Sequence, residues 1–180
     1  MLNDDLLGDK AKARLRRCSE SAKIFPLAKI VSPHNVEIGE CSMIDDFTFI
    51  NGGERLVIGS YVHIASFVSI IGGGRLTIGD YAVLACGARI LTGTDTYYNG
   101  KRMSSALPLE ERNVILGETI IERDAFIGTN SVVHPNVRIG EGAIIGSNSL
   151  VLRDIEPWSI NVGSPCKKIG VRPQVDSNRS

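Results

Sequence analysis

The chain has 180 residues, 43% hydrophobic and 22% charged, which suits one compact domain with a sizeable core and excludes a disordered tail. Lys+Arg and Asp+Glu both total 20, so no net field draws the chain to nucleic acid or to an anionic membrane surface. No apolar run reaches the length of a membrane-spanning helix.

Residues 1–29 read as an N-terminal helical cap. The stretch NDDLLGDKAKARLRRC is a mixed-charge, weakly amphipathic pattern interrupted by Gly8, and Pro26 separates it from the rest of the chain. Asp4, Asp5 and Asp9 dilute the basic face that a membrane-surface helix would need. The cap is expected to cover an open strand edge in the next element. His34, ahead of the first repeat, reads as solvated. Cys18, Cys41, Cys86 and Cys166 lie far apart with no CxxC pair, and no signal-peptide pattern is read before them. They are expected to be free thiols of a cytoplasmic protein.

From Ile38 a period of six takes over. Ile38, Ile44 and Ile50 are followed after a step of eight by Ile58, Ile64 and Ile70, and after another by Ile78, Leu84 and Ile90. A longer interruption precedes Ile115, Ile121, Ile127, Val133, Ile139, Ile145 and Val151. Four residues after each aliphatic position stands a small or β-branched residue, among them Ser42, Thr48, Val62, Ala82, Thr119, Ala125 and Ser149. Glycine recurs directly after it, at Gly39, Gly59, Gly79, Gly128, Gly140 and Gly146, where a corner of positive φ would suit it. This period fits neither a helix nor a simple strand. It fits short strands that each turn an aliphatic side chain inward before the chain rounds a corner, three to a triangular coil. The expectation is an all-β protein, a parallel β-helix of about five coils over residues 30–165, roughly 25 Å tall at ~4.8 Å per coil. The period leaves its hand open.

Asn51-Gly52-Gly53, Gly72-Gly73-Gly74 and Leu91-Thr92-Gly93 each follow the third strand of a coil, so they should stack at one corner. The third opens into a protruding loop, residues 92–113 (TGTDTYYNGKRMSSALPLEERN), long enough to suggest a functional segment. His63 ends a hexad at a corner, and its imidazole should face outward. Its plain alternative is a surface histidine capping a neighbouring carbonyl. His134, before Pro135, is the weaker candidate. Trp158, the only tryptophan, should cap the apolar end of the prism or stack on a ligand ring. Residues 166–180 form a C-terminal extension.

The repeated (Ile/Leu/Val)-Gly-x-x-(Ser/Thr/Ala/Val)-x, the run RNVILGETIIERDAFIGTNSVVHPNVRIGEGAIIGSNSLVLRDI and the closing PWSINVGSPCKKI resemble the hexapeptide-repeat acyltransferases. Within them the chain is similar to the branch of galactoside and maltose O-acetyltransferases and of acetyltransferases in surface-polysaccharide synthesis. The resemblance spans roughly residues 30–172. It implies a left-handed β-helix and a homotrimer with active sites between adjacent subunits. It also implies acetyl-CoA, or another acyl-CoA, lying along the groove between two prisms, with no metal. The acceptor would be a hydroxyl or amine on a sugar or nucleotide-linked sugar.

Acyl transfer needs a base for the acceptor and a donor for the oxyanion. His63, in a VHIAS context similar to polysaccharide-type members, is one candidate base. The family commonly takes a base histidine from the extended loop, where this chain offers Asp95 instead. A carboxylate suits steering or deprotonating a sugar ammonium, which tilts the reading toward N-acylation; a turn former bonding its own backbone is the alternative. Tyr97, Tyr98, Arg102, Glu111 and Asn113 are loop candidates for the acceptor, or for locking a neighbouring subunit. The resemblance assigns Thr129 and Ser147 to the pantetheine amides. Arg153, Lys167, Lys168 and Arg172 fall where the family contacts the CoA phosphates, and Gly163 and Pro165 shape the terminating turn. Two rival readings remain: a non-catalytic β-helix scaffold, and a metal enzyme of the γ-carbonic-anhydrase type. The long loop and GSPCKKI are features a scaffold does not need, and His34, His63 and His134 lack a closely spaced pair.

Overall fold

The computed structural model describes residues 6–175. Three parallel sheets make the sides of a triangular prism. Face 1 holds Arg17–Cys18, Val36–Ile38, Arg55–Ile58, Arg75–Ile78, Glu118–Ile121 and Arg138–Ile139. Face 2 holds Lys23–Ile24, Met43–Ile44, His63–Ile64, Val83–Leu84, Phe126–Ile127, Ile144–Ile145, Ser159–Gly163 and Cys166–Val171. Face 3 holds Lys29–Val31, Phe49–Asn51, Ser69–Ile71, Arg89–Leu91, Val132–Val133 and Leu150–Val151. The chain crosses the faces in that order, once per course, so each strand lies between its counterparts in the courses before and after.

About seven courses are present rather than five. The added ones lie at the ends. Residues 17–31, of which 17–29 read in sequence as part of a helical cap, wind as the first course: Ile24 and Ile30 are buried, as are Ala22 and Ala28. Lys23 and Lys29 alternate with them on the outside, a strand period that outweighs the helical reading. Among the described residues the single α-helix is Gly8–Lys12, whose Ala11 packs onto the first course. At the other end Ile155 bridges Ile139, and Ser159–Gly163 starts a seventh course on which Cys166–Val171 folds back antiparallel.

The hexad aliphatics fill the prism. Ile44, Ile50, Ile64, Ile70, Leu84, Ile90, Ile127 and Ile145 are fully buried, each worth ~1.5–3 kcal/mol. The residues four places on, from Ser42 to Ser149, point inward beside them. Their hydroxyls are satisfied: Ser42 Oγ donates to Gly59 O at 2.8 Å and accepts from Val62 N at 3.0 Å. Ile115 departs from the column. It is 38% exposed in Val114–Leu116, which pairs antiparallel with Gly93–Asp95, and Thr119 takes the inward place next to Leu76.

The corner glycines serve space rather than φ. Positive φ falls two residues later, at Cys41, Tyr61, Tyr81, Asn130 and Asn148, and likewise at Phe47 and Phe67, where Asp45 and Ala65 hold the place of the glycine. A Cβ on Gly39 would stand 2.6 Å from the carbonyl carbon and oxygen of Gly59 in the next course. A left-handed backbone costs an aromatic residue about 1–2 kcal/mol. Stacking offsets it here: Phe47 lies on Phe67 at 5.4 Å and Tyr61 on Tyr81 at 5.0 Å, both pairs near parallel. The glycine interruptions stack at the corner between faces 3 and 1, and the long loop leaves from that same corner.

Candidate active site

Face 2 presents one outward residue per course: Lys23, Met43, His63, Val83, Phe126, Ile144 and Ile160. His63 faces outward, with 37% of its side chain accessible. Its Nε2 lies 3.0 Å from Oδ2 of Asp45 in the preceding course. With the proton on Nε2 donated to that carboxylate, Nδ1 keeps its lone pair. An imidazole oriented by a carboxylate, with its second nitrogen available, is the arrangement of a general base. Asp45 was not singled out from the sequence. Its separation of 18 residues from His63, three hexads, is the signal that could have found it.

Asp95 sits at the root of the long loop and is clasped by Arg112. Arg112 Nε donates to Oδ1 and Nη2 to Oδ2, both at 2.8 Å, with the two side chains only 13% and 16% accessible for Arg112 and Asp95. The hydrogen bond from Arg112 holds the Asp95 carboxyl below the usual carboxylate range, so it is a poor proton acceptor. Asn113 tightens the same root: its Nδ2 donates to Thr96 Oγ1 at 2.7 Å, and its carbonyl accepts from Thr96 N at 2.8 Å. Beyond this clasp Tyr97 and Tyr98 lie against one another at 4.9 Å and are largely exposed, while Arg102 and Glu111 are exposed along the arm. The loop's corner is the one that does not border face 2. One chain therefore keeps Asp95 and His63 apart.

Thr129 and Ser147 are exposed and stack on the corner between faces 2 and 3, where Asn148 N donates to Thr129 O. At the base of the prism a pocket of about 340 Å³ is lined by Arg153, Glu156, Ser159, Asn161, Cys166, Lys167 and Lys168, among others. Lys168 pairs with Glu156 at 2.6 Å, and that bond pulls the Glu156 carboxyl down. Arg153 and Lys167 have no ion-pair partner among the described residues. Arg172 differs from the expectation of a phosphate contact: its Nη1 donates to the carbonyls of Asp124 and Gly142 at 2.8 and 3.2 Å, and its guanidinium lies over Trp158. Trp158 in turn packs on Gly142, closing the base corner. His34 is exposed on the turn before the second course, and among the described residues His134 donates only its backbone N–H, to Val151 O. Among the described residues no group of three or more His, Cys, Asp or Glu side chains could hold a metal ion. No helix there is long and apolar enough to cross a membrane.

Known proteins resemble this chain in sequence and in fold. Residues 118–153 match the family described as bacterial transferase hexapeptide (six repeats). The dTDP-4-amino-4,6-dideoxy-D-glucose acyltransferase of Escherichia coli is 39% identical over 155 residues, covering 85% of this chain and 80% of that protein. A chloramphenicol acetyltransferase of Klebsiella aerogenes is 50% identical, over 56 residues and 27% of its length. Among solved structures, a serine variant of AntD, an N-acyltransferase from Bacillus cereus, in complex with dTDP-4-amino-4,6-dideoxyglucose and coenzyme A superposes with a TM-score of 0.87 at 31% identity. The match covers 92% of this chain and 89% of that one. AntD with dTDP and 3-hydroxybutyryl-CoA gives 0.83 at 30% identity, covering 92% and 87%.

Proposed function

The chain belongs to the hexapeptide-repeat acyltransferases, acyl-CoA-dependent and acting on a nucleotide-linked sugar, and we propose that the group it acylates is the sugar's amine. The observation that carries N-transfer is the 39% identity across four-fifths of an enzyme named for a 4-amino sugar, joined by a fold shared with an N-acyltransferase bound to that sugar. A carboxylate at the loop root supports the same reading, since an ammonium acceptor needs an anion to draw it in.

In this reading His63, held by Asp45, takes the proton from the attacking ammonium. The nitrogen lone pair then adds to the thioester carbonyl, a backbone N–H holds the oxyanion, and the intermediate collapses with its second N–H proton passing to the departing sulfur, so that CoA leaves as the thiol. Asp95 stays ionised and orients the ammonium, with Tyr97 and Tyr98 over the sugar; Arg102 and Glu111 line the arm. Coenzyme A runs along face 2. Below His63 the outward column is apolar, through Val83, Phe126, Ile144 and Ile160, and it ends at Lys167 and Arg153. Four to five courses span about 19–24 Å, the reach of an extended coenzyme A from thiol to phosphates. Thr129 and Ser147 flank that track as contacts for the pantetheine amides.

The site is shared between copies in a homotrimer, because the loop of one prism can meet face 2 only on a neighbour. The enzyme works in the cytoplasm, which supplies acyl-CoA and nucleotide sugars together and keeps its four cysteines as thiols. A thiol-release assay with acetyl-CoA and 3-hydroxybutyryl-CoA, run across nucleotide-linked 4-amino sugars and their 4-hydroxy counterparts, tests the reading. Release with the amines alone is expected. Equal release with the hydroxyl series would overturn N-transfer.

A further inference from the structure

Both substrates of such a reaction carry phosphates, yet the base pocket provides cations for only one of them. A second groove, of about 330 Å³, opens on face 2 at the other end of the prism. It is lined by Ser21, Lys23, Cys41, Met43, Tyr61, Val62 and His63. Lys23 is exposed there, and its ammonium meets no carboxylate or carbonyl among the described residues. Most other cations on the prism are engaged: Arg16 and Arg55 face Glu37, Arg75 faces Glu54, Arg138 faces Glu122, and Lys12 binds the carbonyls of Glu20 and Ala22. Among the acids near the groove are Asp45, Glu40 and Glu20, the last directly before the lining residue Ser21. Asp45 is turned to His63, and Glu40 lies at the corner beside Tyr61.

The register fixes the spacing. Lys23 pairs with Met43, and Met43 with His63, so the ammonium and the imidazole stand in one outward column two courses apart. Two courses are about 10 Å, the reach from the 4-amino group of a hexose across its ring to a glycosyl diphosphate. Ser21 adds a hydroxyl beside Lys23, although its Oγ already accepts from Cys41 N. The Tyr61–Tyr81 stack forms a flat wall along the groove's corner.

We propose that this groove is the acceptor's diphosphate subsite, with Lys23 binding the nucleotide diphosphate while the sugar reaches down the column to His63. The proposal rests on the nucleotide-sugar reading and adds a residue, and a direction, to it. Acceptor and coenzyme A then enter face 2 from opposite ends and meet at the third course.

Lys23→Gln tests this, with Lys23→Arg as the charge-retaining variant and Lys29→Gln, in the same course but on face 3, as the control. For Lys23→Gln the KM for a dTDP-linked 4-amino sugar should rise about tenfold or more, and inhibition by free dTDP should weaken by a similar factor. The KM for acyl-CoA and kcat should stay within about twofold. Lys23→Arg should keep the wild-type acceptor KM, and Lys29→Gln should change nothing. An unchanged acceptor KM and dTDP inhibition in Lys23→Gln would overturn the subsite alone. Wild-type enzyme that acylates a free amino sugar as readily as the dTDP-linked one, with no inhibition by dTDP, would overturn the nucleotide-sugar reading and the subsite with it.

Discussion

His63 illustrates how much a single residue depends on its neighbour one course away. An exposed imidazole rotates freely; the contact with Asp45 restricts it to one ring orientation and one tautomer. His63→Ala should therefore lower kcat about 100-fold or more, while Asp45→Asn, which keeps the size but loses the charge, should cost about tenfold. Steady-state kinetics with KM for acyl-CoA unchanged would support this, and full activity in Asp45→Asn would leave the contact without a catalytic role. Asp95 makes the opposite case, because its partner lowers its basicity rather than readying it. With its folded value depressed by Arg112, the clasp is fully present above the ordinary aspartate range and is lost only as pH falls through that lower value. Limited proteolysis of the loop should show protection persisting into acid where a free aspartate has already protonated. Asp95→Asn should expose the loop at neutral pH. Sequence reading singled out His63 and Asp95 as candidates but neither partner, since Asp45 and Arg112 become neighbours only through the coil register and the hairpin at the loop root.

Among the elements, the hexads were legible because burial is repeated in step: one aliphatic residue per strand leaves a period that composition alone cannot hide. The first course was missed for a physical reason. Cys18 stands where an aliphatic residue was sought, and the dense charge before it suggested a helix, although Ile24 and Ile30 keep the step of six. The glycines were found but given the wrong task, because a sequence shows residue type and not the distance to the next course. That correction has a measurable consequence. Gly39 has an ordinary φ, so Gly39→Ala introduces no backbone strain of its own, yet its methyl group meets the Gly59 carbonyl. Separating the courses there should cost about 1–3 kcal/mol. For a chain of this size that lowers Tm by about 2–4 °C per kcal/mol, readable by calorimetry. An unchanged Tm would mean that the corner gives way freely and that glycine is not needed as a spacer.

At the scale of the whole molecule, the prism separates the two groups that the proposed reaction brings together. The clasped loop leaves the corner between faces 3 and 1, and the oriented histidine lies on face 2 opposite it. A rigid stack of seven courses cannot fold the one onto the other, and in the homotrimer proposed above a second copy supplies the other half. In a closed ring each site then takes His63 from one chain and the loop from the next, a head-to-tail interface. Two inactive variants, His63→Ala and an Asp95→Ala that releases the loop, should complement one another when co-expressed or mixed through unfolding. With random 1:1 assembly, about one site in four receives both intact halves, so activity should recover to about a quarter of wild type. The number of chains in the ring does not alter that fraction. Recovery depends on exchange, so mixing the two preformed oligomers without unfolding should restore nothing. If the mixed oligomers are as inactive as their parents, each site is built within one chain, and the loop must reach its substrate by a path that this prism does not provide.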